Sequence, residues 1–319
     1  MAITPNIKTM DTQTALVSIF AGVFALLATA SVAGVLLKSR LSPATANNLN
    51  TRIQAWWVMI GTLALVFWIG SLGIILLFAL VTLQCLREFI ALSPALAGDR
   101  RAQAWCFLFF LPLQYFLIAI NELGLFHLLI PTFAFLLLPI TAIRNADTDL
   151  FLERIATIQW GLMICVYCIS HVPALLALDI PGYAGRNTLL VAFLVLTVQS
   201  SDVFQYVWGR LLGKRRISPK ISPSKTLEGL VGGVLTSTAV GTALWWVTPF
   251  TPWQAALIAL TLNLAGFLGG LVLSAVKRGL GVKDWGKMIS GHGGMLDRVD
   301  SLVFSAPVFF HIIRHWWAP

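Results

Sequence analysis

Residues Trp253–Trp317 read WQAALIALTLNLAGFLGGLVLSAVKRGLGVKDWGKMISGHGGMLDRVDSLVFSAPVFFHIIRHWW. Two apolar runs, Trp253–Val276 and Ser301–Trp317, bracket the polar stretch Ser274–Asp300. That stretch packs Lys277, Arg278, Lys283, Asp284, Lys287, His292, Asp297, Arg298 and Asp300 into a chain that is only 11% charged. The first run is long enough to cross a bilayer as a helix, which takes about 20 residues. Cations, carboxylates and glycines held at one membrane surface point to chemistry on a phosphate carried by a lipid.

The pattern extends outward over the whole 319 residues. The hydrophobic fraction is 58% and the mean hydropathy +0.83, against roughly half apolar for a soluble domain. Backbone polar groups must be satisfied inside lipid, so helices are the expected spanning form. Barrel strands would alternate in polarity over about 10 residues, and these runs do not. The expected fold is all-α: a polytopic integral membrane protein without a soluble domain. Ten spans are expected, at 14–37, 54–70, 72–92, 104–121, 125–143, 155–178, 187–209, 229–248, 253–276 and 300–317. Only Gly70–Ser71 joins the second and third, so nine is the alternative. The first run lacks a basic leader and exceeds a signal core in length, so it reads as a span.

With ten spans, alternate loops (38–53, 93–103, 144–154, 210–228, 277–299) share one face. Together with Arg87 they hold all but three of the 22 Lys and Arg; Lys8, Arg186 and Arg314 lie opposite. The positive-inside rule makes the basic face cytoplasmic and both termini external. The net charge of +9 therefore reads as topology and attraction to anionic lipid. It is split among short loops, which argues against nucleic acid. Residues 1–186 are expected to be a scaffold of about six spans, and 187–319 a catalytic region with cytoplasmic loops 210–228 and 277–299.

Several polar groups take a bland reading. Cys85, Cys106, Cys165 and Cys168 lie within spans, and the CxxC form of Cys165–Cys168 reads as packing rather than redox chemistry. His127 and His171, near outer span ends, read as packed or interfacial. Arg87–Glu88 reads as a local ion pair at a helix end. Tryptophans 56, 57, 245, 246, 316 and 317 read as interfacial anchors.

Three signals carry chemistry. Asp202 lies inside an apolar run, where a carboxylate is costly unless it is paired or faces water, so it is a functional candidate. Tyr206–Gly229 follows, with six cations, two Ser-Pro turns and a closing Ser-Lys-Thr-x-Glu-Gly. Hydroxyls, glycine amides and a lysine suit phosphate oxygens, and Ser224–Lys225–Thr226 is expected to open a helix whose N-terminus favours anions. Third, Asp284, Asp297 and Asp300 lie among five cations. Carboxylates beside phosphates point to Mg²⁺. Gly291-His292-Gly293-Gly294 should form a tight loop whose N–H groups cradle a phosphate, with His292 as a donor. A turn, and a cap with an ion pair at Asp297-Arg298-x-Asp300, are the plainer readings.

These motifs resemble a known family. Ser274-x-x-Lys277-Arg278-x4-Lys283-Asp284-x6-Gly291-His292-Gly293-Gly294-x2-Asp297-Arg298-x-Asp300 is similar to the signature of phosphatidate cytidylyltransferases. Asp202-x3-Tyr206-x2-Gly209-Arg210 and Ser222-Pro223-x-Lys225-Thr226-x-Glu228-Gly229 resemble that family's upstream motifs. The resemblance covers about residues 195–305. Gly269–Gly270 stands where many bacterial members have Gly-Asp, an aspartate associated with metal, and Leu273 where they often carry a glutamate. The eukaryotic branch resembles this chain in having Gly-Gly. Ser290 replaces the usual proline.

The resemblance implies a nucleotidyltransferase of phospholipid biosynthesis, converting CTP and phosphatidate to CDP-diacylglycerol and pyrophosphate. It implies catalytic roles for Asp297, Asp284, Lys277, Arg278, His292 and Arg298. Substrate contacts fall to Lys225, Ser224, Thr226, Glu228, Gly293, Gly294 and Arg210. One or two Mg²⁺ ions would be held by Asp297, Asp202, Asp284 and Asp300. The expected partners are CTP, phosphatidate or a related lipid phosphate, the bilayer and a second copy in a homodimer, but no nucleic acid. The expected location is the inner (plasma) membrane, with the active site on its cytoplasmic face. Two rivals stay open: a CTP-dependent lipid kinase or other CTP transferase with a different acceptor, and a non-catalytic transporter or lipid-binding paralogue.

Overall fold

A computed structural model describes residues 10–37, 43–93, 99–143, 148–288 and 293–318. Helical segments follow the expected spans in order: α1 (Thr12–Leu37), α2 (Pro43–Ile69), α3 (Ser71–Ala91), α4 (Arg100–Ala119), α5 (Leu123–Ile143), α6 (Phe151–Ala177), α7 (Asn187–Leu212), α8 (Leu227–Ala243), α9 (Pro252–Gly279) and α10 (Leu296–Trp316). Seven of them, all but α2, α8 and α10, are long and apolar enough to cross a membrane. Gly70 separates α2 from α3 by adopting φ +94°, a conformation that side-chain-bearing residues rarely take. The chain widens into π-helical turns at Cys106–Phe110 and Leu129–Ala134. Pro112 and Pro131 accompany them, and a proline withdraws a backbone donor from the helical ladder.

One element departs from the all-α expectation. Between α7 and α8, β1 (Arg216–Ser218) pairs antiparallel with β2 (Ser222–Thr226), with Arg216 opposite Thr226 and Ser218 opposite Ser222. Ser224–Lys225–Thr226 is therefore strand, and helix begins one residue later. Thr226 is the N-cap of α8, its Oγ1 accepting from the Gly229 N–H at 3.2 Å. The prolines and serines of this segment supply turn chemistry, and the pairing satisfies backbone groups that the basic loop would otherwise leave to water.

In lipid, helices associate through close packing and interhelical hydrogen bonds rather than through apolar burial against water. α7 to α10 show both. A Cβ on Gly233 of α8 would stand 2.4 Å from Gln205 of α7, and one on Gly269 of α9 would stand 3.1 Å from the Asp300 carbonyl of α10. Ser237 donates to the Thr197 carbonyl at 2.6 Å and to Asn263 Oδ1 at 3.1 Å, linking α8 to α7 and α9. Phe193, Phe250 and Phe309 fill the centre and are fully buried. This packing brings the C-terminal ends of α3, α7 and α9 to the N-terminus of α10.

Candidate active site

Asp297 lies in the first turn of α10, where a negative charge is favoured by the helix dipole. Its Oδ1 accepts from Lys277 Nζ at 2.6 Å. Its Oδ2 accepts from the N–H groups of Trp285 at 2.8 Å and Gly294 at 2.9 Å. The two charged side chains are only 10% and 6% exposed. One carboxylate thus ties together the end of α9, the connecting loop and the start of α10. The ion-pair reading of this acid is realised with Lys277, whereas the cap reading is not: the amides on its Oδ2 precede the helix, and no side chain of α10 caps its start.

A second carboxylate group lies deeper. Asp202 Oδ2 accepts from Ser301 Oγ at 2.8 Å, joining α7 to α10. Asp300 feels the charges of Asp202, Lys225, Lys277 and Asp297. Lys225 reaches in from β2, its Nζ 4.8 Å from the centre of the Phe267 ring. Gly270 makes the room. A Cβ there would stand 3.0 Å from Lys225 Nζ and 3.8 Å from Asp300 Oδ2. Arg298 adds a cation whose charge acts on Asp202. Its Nε is buried and, among the described residues, has no hydrogen-bond partner. A buried guanidinium N–H left without an acceptor suits an anionic oxygen supplied by a substrate.

The loop over this group is held by a residue that the sequence suggests only as half of a local ion pair. Glu88, buried in α3, accepts from Met295 N–H at 2.9 Å through Oε1 and from Leu296 N–H at 3.0 Å through Oε2. Gln84 donates to Oε1 at 3.0 Å. The carboxylate therefore binds the first amides of α10; the ion pair expected with Arg87 is not among the described contacts. Its signal was available: an acid near the end of an apolar run invites the same question as Asp202.

Glycines make the fit. Gly293 adopts φ +81°, and a Cβ at Gly294 would meet Glu88 Oε2 at 2.5 Å and the Gly286 nitrogen at 2.6 Å. Gly294→Ala is therefore expected to push the loop off Glu88 and lower the transfer rate about 100-fold, the scale of a 1 Å misplacement. Initial rates at matched protein amount check this; an unchanged rate means that the loop tolerates the shift.

The remaining expected residues are more scattered. Asp284 is exposed and lies against Gly293. Arg278 is exposed and donates to the carbonyls of Ile221 at 3.2 Å and Val282 at 3.0 Å, bracing the hairpin against the loop. Glu228 accepts from the N–H groups of Lys214 at 2.9 Å and Arg215 at 3.1 Å, which hold its carboxyl below the usual range. Arg210 is exposed, 5.9 Å from the Tyr206 ring centre. Ser224 is exposed on β2 and Thr226 caps α8. His292 falls outside the described residues. An apolar cleft of about 340 Å³ adjoins the loop, lined by Phe89, Trp160, Val276 and Leu280 among others. Phe89 stacks on Trp285 with ring centres 5.6 Å apart, and the Trp285 N–H binds Asp297, which links the cleft to the loop.

Hard oxygen donors suit Mg²⁺, which uses one or two carboxylates and keeps sites for water and substrate phosphates. The neighbouring Asp202 and Asp300 fit that demand, whereas both oxygens of Asp297 are engaged by Lys277 and backbone amides. Among the described residues, the compact group of three metal-ligating side chains is not these acids but three histidines elsewhere.

Comparison with known proteins gives consistent results. Residues 50–316 match the profile of the cytidylyltransferase family. The chain is 39% identical over 299 residues to the protein called YnbB of Escherichia coli strain K12, covering 92% of this chain and 97% of that one. It is 32% identical over 258 residues to the phosphatidate cytidylyltransferase of Bacillus subtilis strain 168, covering 80% and 91%. A shorter stretch of 126 residues is 42% identical to the phosphatidate cytidylyltransferase of Staphylococcus haemolyticus, covering 39% and 48%.

Proposed function

The chain belongs to the cytidylyltransferase family, and on that premise we propose that this nucleotidyltransferase moves the cytidylyl group of CTP onto phosphatidate or a closely similar lipid phosphate. The products are CDP-diacylglycerol and pyrophosphate. An oxygen of the lipid phosphate forms a bond to the α-phosphorus of CTP, and the bond from that phosphorus to the bridging oxygen breaks, releasing pyrophosphate. A phosphate monoester is largely ionised near neutral pH, so the attacking oxygen needs no dedicated base.

The observation that carries this reading is the buried Arg298 Nε, which has no hydrogen-bond partner among the described residues and is set among Lys225, Lys277 and carboxylates. Arg298 and Lys225 bind phosphate oxygens, and Lys277 is released from Asp297 as substrate charge arrives. The Gly294 N–H is already held by Asp297, and His292 donates to a phosphate oxygen. The cleft receives the acyl chains laterally from the leaflet. Catalysis of this kind rests on in-line positioning and charge neutralisation. Asp202 and Asp300 would hold Mg²⁺, which would supply positive charge to neutralise the substrate phosphates. The crowding of basic residues at this end supports a cytoplasmic active site.

Reconstituted protein given CTP, phosphatidate and Mg²⁺ is expected to release pyrophosphate and form CDP-diacylglycerol in equal amounts. Asp202→Asn is expected to lower the rate about 100-fold or more, as loss of one charge-stabilising group does. Release of CDP in place of pyrophosphate would make the protein a lipid kinase. Transport without either product would make it a carrier.

A further inference from the structure

Far from the aspartates, His127 of α5, His171 of α6 and His311 of α10 each bring a ring nitrogen within 4.8 Å of the other two. His311 is eleven residues beyond Asp300 on α10, about 17 Å along the axis at 1.5 Å per residue. Two of the rings are already set for metal. His127 Nδ1 hydrogen-bonds the Leu123 carbonyl, and His171 Nδ1 lies 2.7 Å from the Tyr167 carbonyl. A carbonyl only accepts, so each ring is held as its Nδ1–H tautomer with a lone pair on Nε2. Backbone carbonyls orient metal-ligating histidines in this way.

The sequence reading took His127 and His171 as packed rings, and packing is present. His171 is fully buried against Tyr167, Phe126 and Phe310. Packing does not account for its Nε2, which is buried and has no hydrogen-bond partner among the described residues. Leaving a buried polar atom unsatisfied is costly. The exposed Arg314 places Nη1 3.1 Å from His127 Nδ1 and 3.3 Å from its Nε2, and with the Nδ1 proton turned to Leu123 only Nε2 can accept from it. A guanidinium only donates, so it occupies a lone pair that a cation could take.

We propose that His127, His171 and His311 form a binding site for a divalent transition-metal ion of the zinc type, separate from the transfer chemistry. Neutral imidazoles suit zinc, copper and nickel rather than magnesium. A tetrahedral zinc ion with Zn–N near 2.0–2.1 Å places its ligand nitrogens about 3.3 Å apart. The exposed His311 supplies the freedom to close from 4.8 Å, and the fourth position faces water beside Arg314. An ion there would staple α5, α6 and α10 at the end of the bundle remote from the reaction.

The test is a Co²⁺ titration of tag-free, chelator-stripped protein in lipid nanodiscs, read by visible absorption. One equivalent of Co²⁺ is expected to give a saturable ligand-field band that Zn²⁺ abolishes. His311→Gln, a change at an exposed position that the fold tolerates, is expected to weaken binding at least about 10-fold. Arg314→Gln is expected to tighten it by removing a competing cation. A wild-type protein with no saturable band, or a His311→Gln variant that titrates like wild type, overturns the site.

Discussion

Asp297→Asn is expected to lower the cytidylyl transfer rate about 100-fold, because this carboxylate positions Lys277, the loop and the start of α10, and a misplacement of about 1 Å costs that much. Asparagine keeps the shape and one acceptor oxygen, so contacts to Trp285 and Gly294 can persist. What disappears is the negative charge opposite Lys277, whose buried ammonium loses its ion-pair partner. Breaking one partner of a buried pair costs about 3–5 kcal/mol, so thermal stability should fall as well. The double variant Lys277→Met/Asp297→Asn separates the two effects. Removing both charges restores much of the stability, while activity stays low. Recovery of both together would reduce Asp297 to a structural role.

Glu88→Ala is expected to lower the transfer rate about 10- to 100-fold, although Glu88 acts only through the loop. It strands the N–H groups of Met295 and Leu296, each worth about 1–3 kcal/mol when buried without an acceptor. The start of α10 would then shift, carrying Asp297, Arg298 and Asp300 with it. Glu88→Gln keeps an acceptor oxygen and should give an intermediate loss. Because Glu88 positions the reacting groups, kcat should fall more than KM rises for CTP. Wild-type rate and melting temperature in Glu88→Ala would show that the loop holds without it.

The helices were legible because apolar length alone decides whether a segment can live in lipid, and the helical segments follow the apolar runs. The gathering of Asp202, Lys225, Lys277, Asp297 and Asp300 was legible for a related reason. Charges in or beside apolar runs are costly, and alternate loops must share a face. The hairpin at Arg216–Thr226 was not legible, because its strands are short, basic and interrupted by proline, without the alternation that marks a buried strand. Arg210 and Arg278 looked equivalent to Lys277, since charge carries no direction; only packing turns Lys277 inward. Glu88 was read as a local ion pair with Arg87 because its partners are backbone amides more than 200 positions away, and amides leave no trace in a sequence. His127 and His171 were read one at a time and His311 was not singled out, because their meeting depends on three helices whose arrangement hydropathy does not determine.

The central claim is that the charged group between α7, α9, α10 and β2 joins the α-phosphorus of CTP to a lipid phosphate. Following CTP labelled at the α-phosphate tests it most directly, in proteoliposomes containing phosphatidate and Mg²⁺. The expected result is label in a chloroform-soluble CDP-lipid at the wild-type rate, with almost none for Asp297→Asn or Asp202→Asn. Label remaining wholly in water-soluble CTP or CDP with wild-type protein would contradict the account.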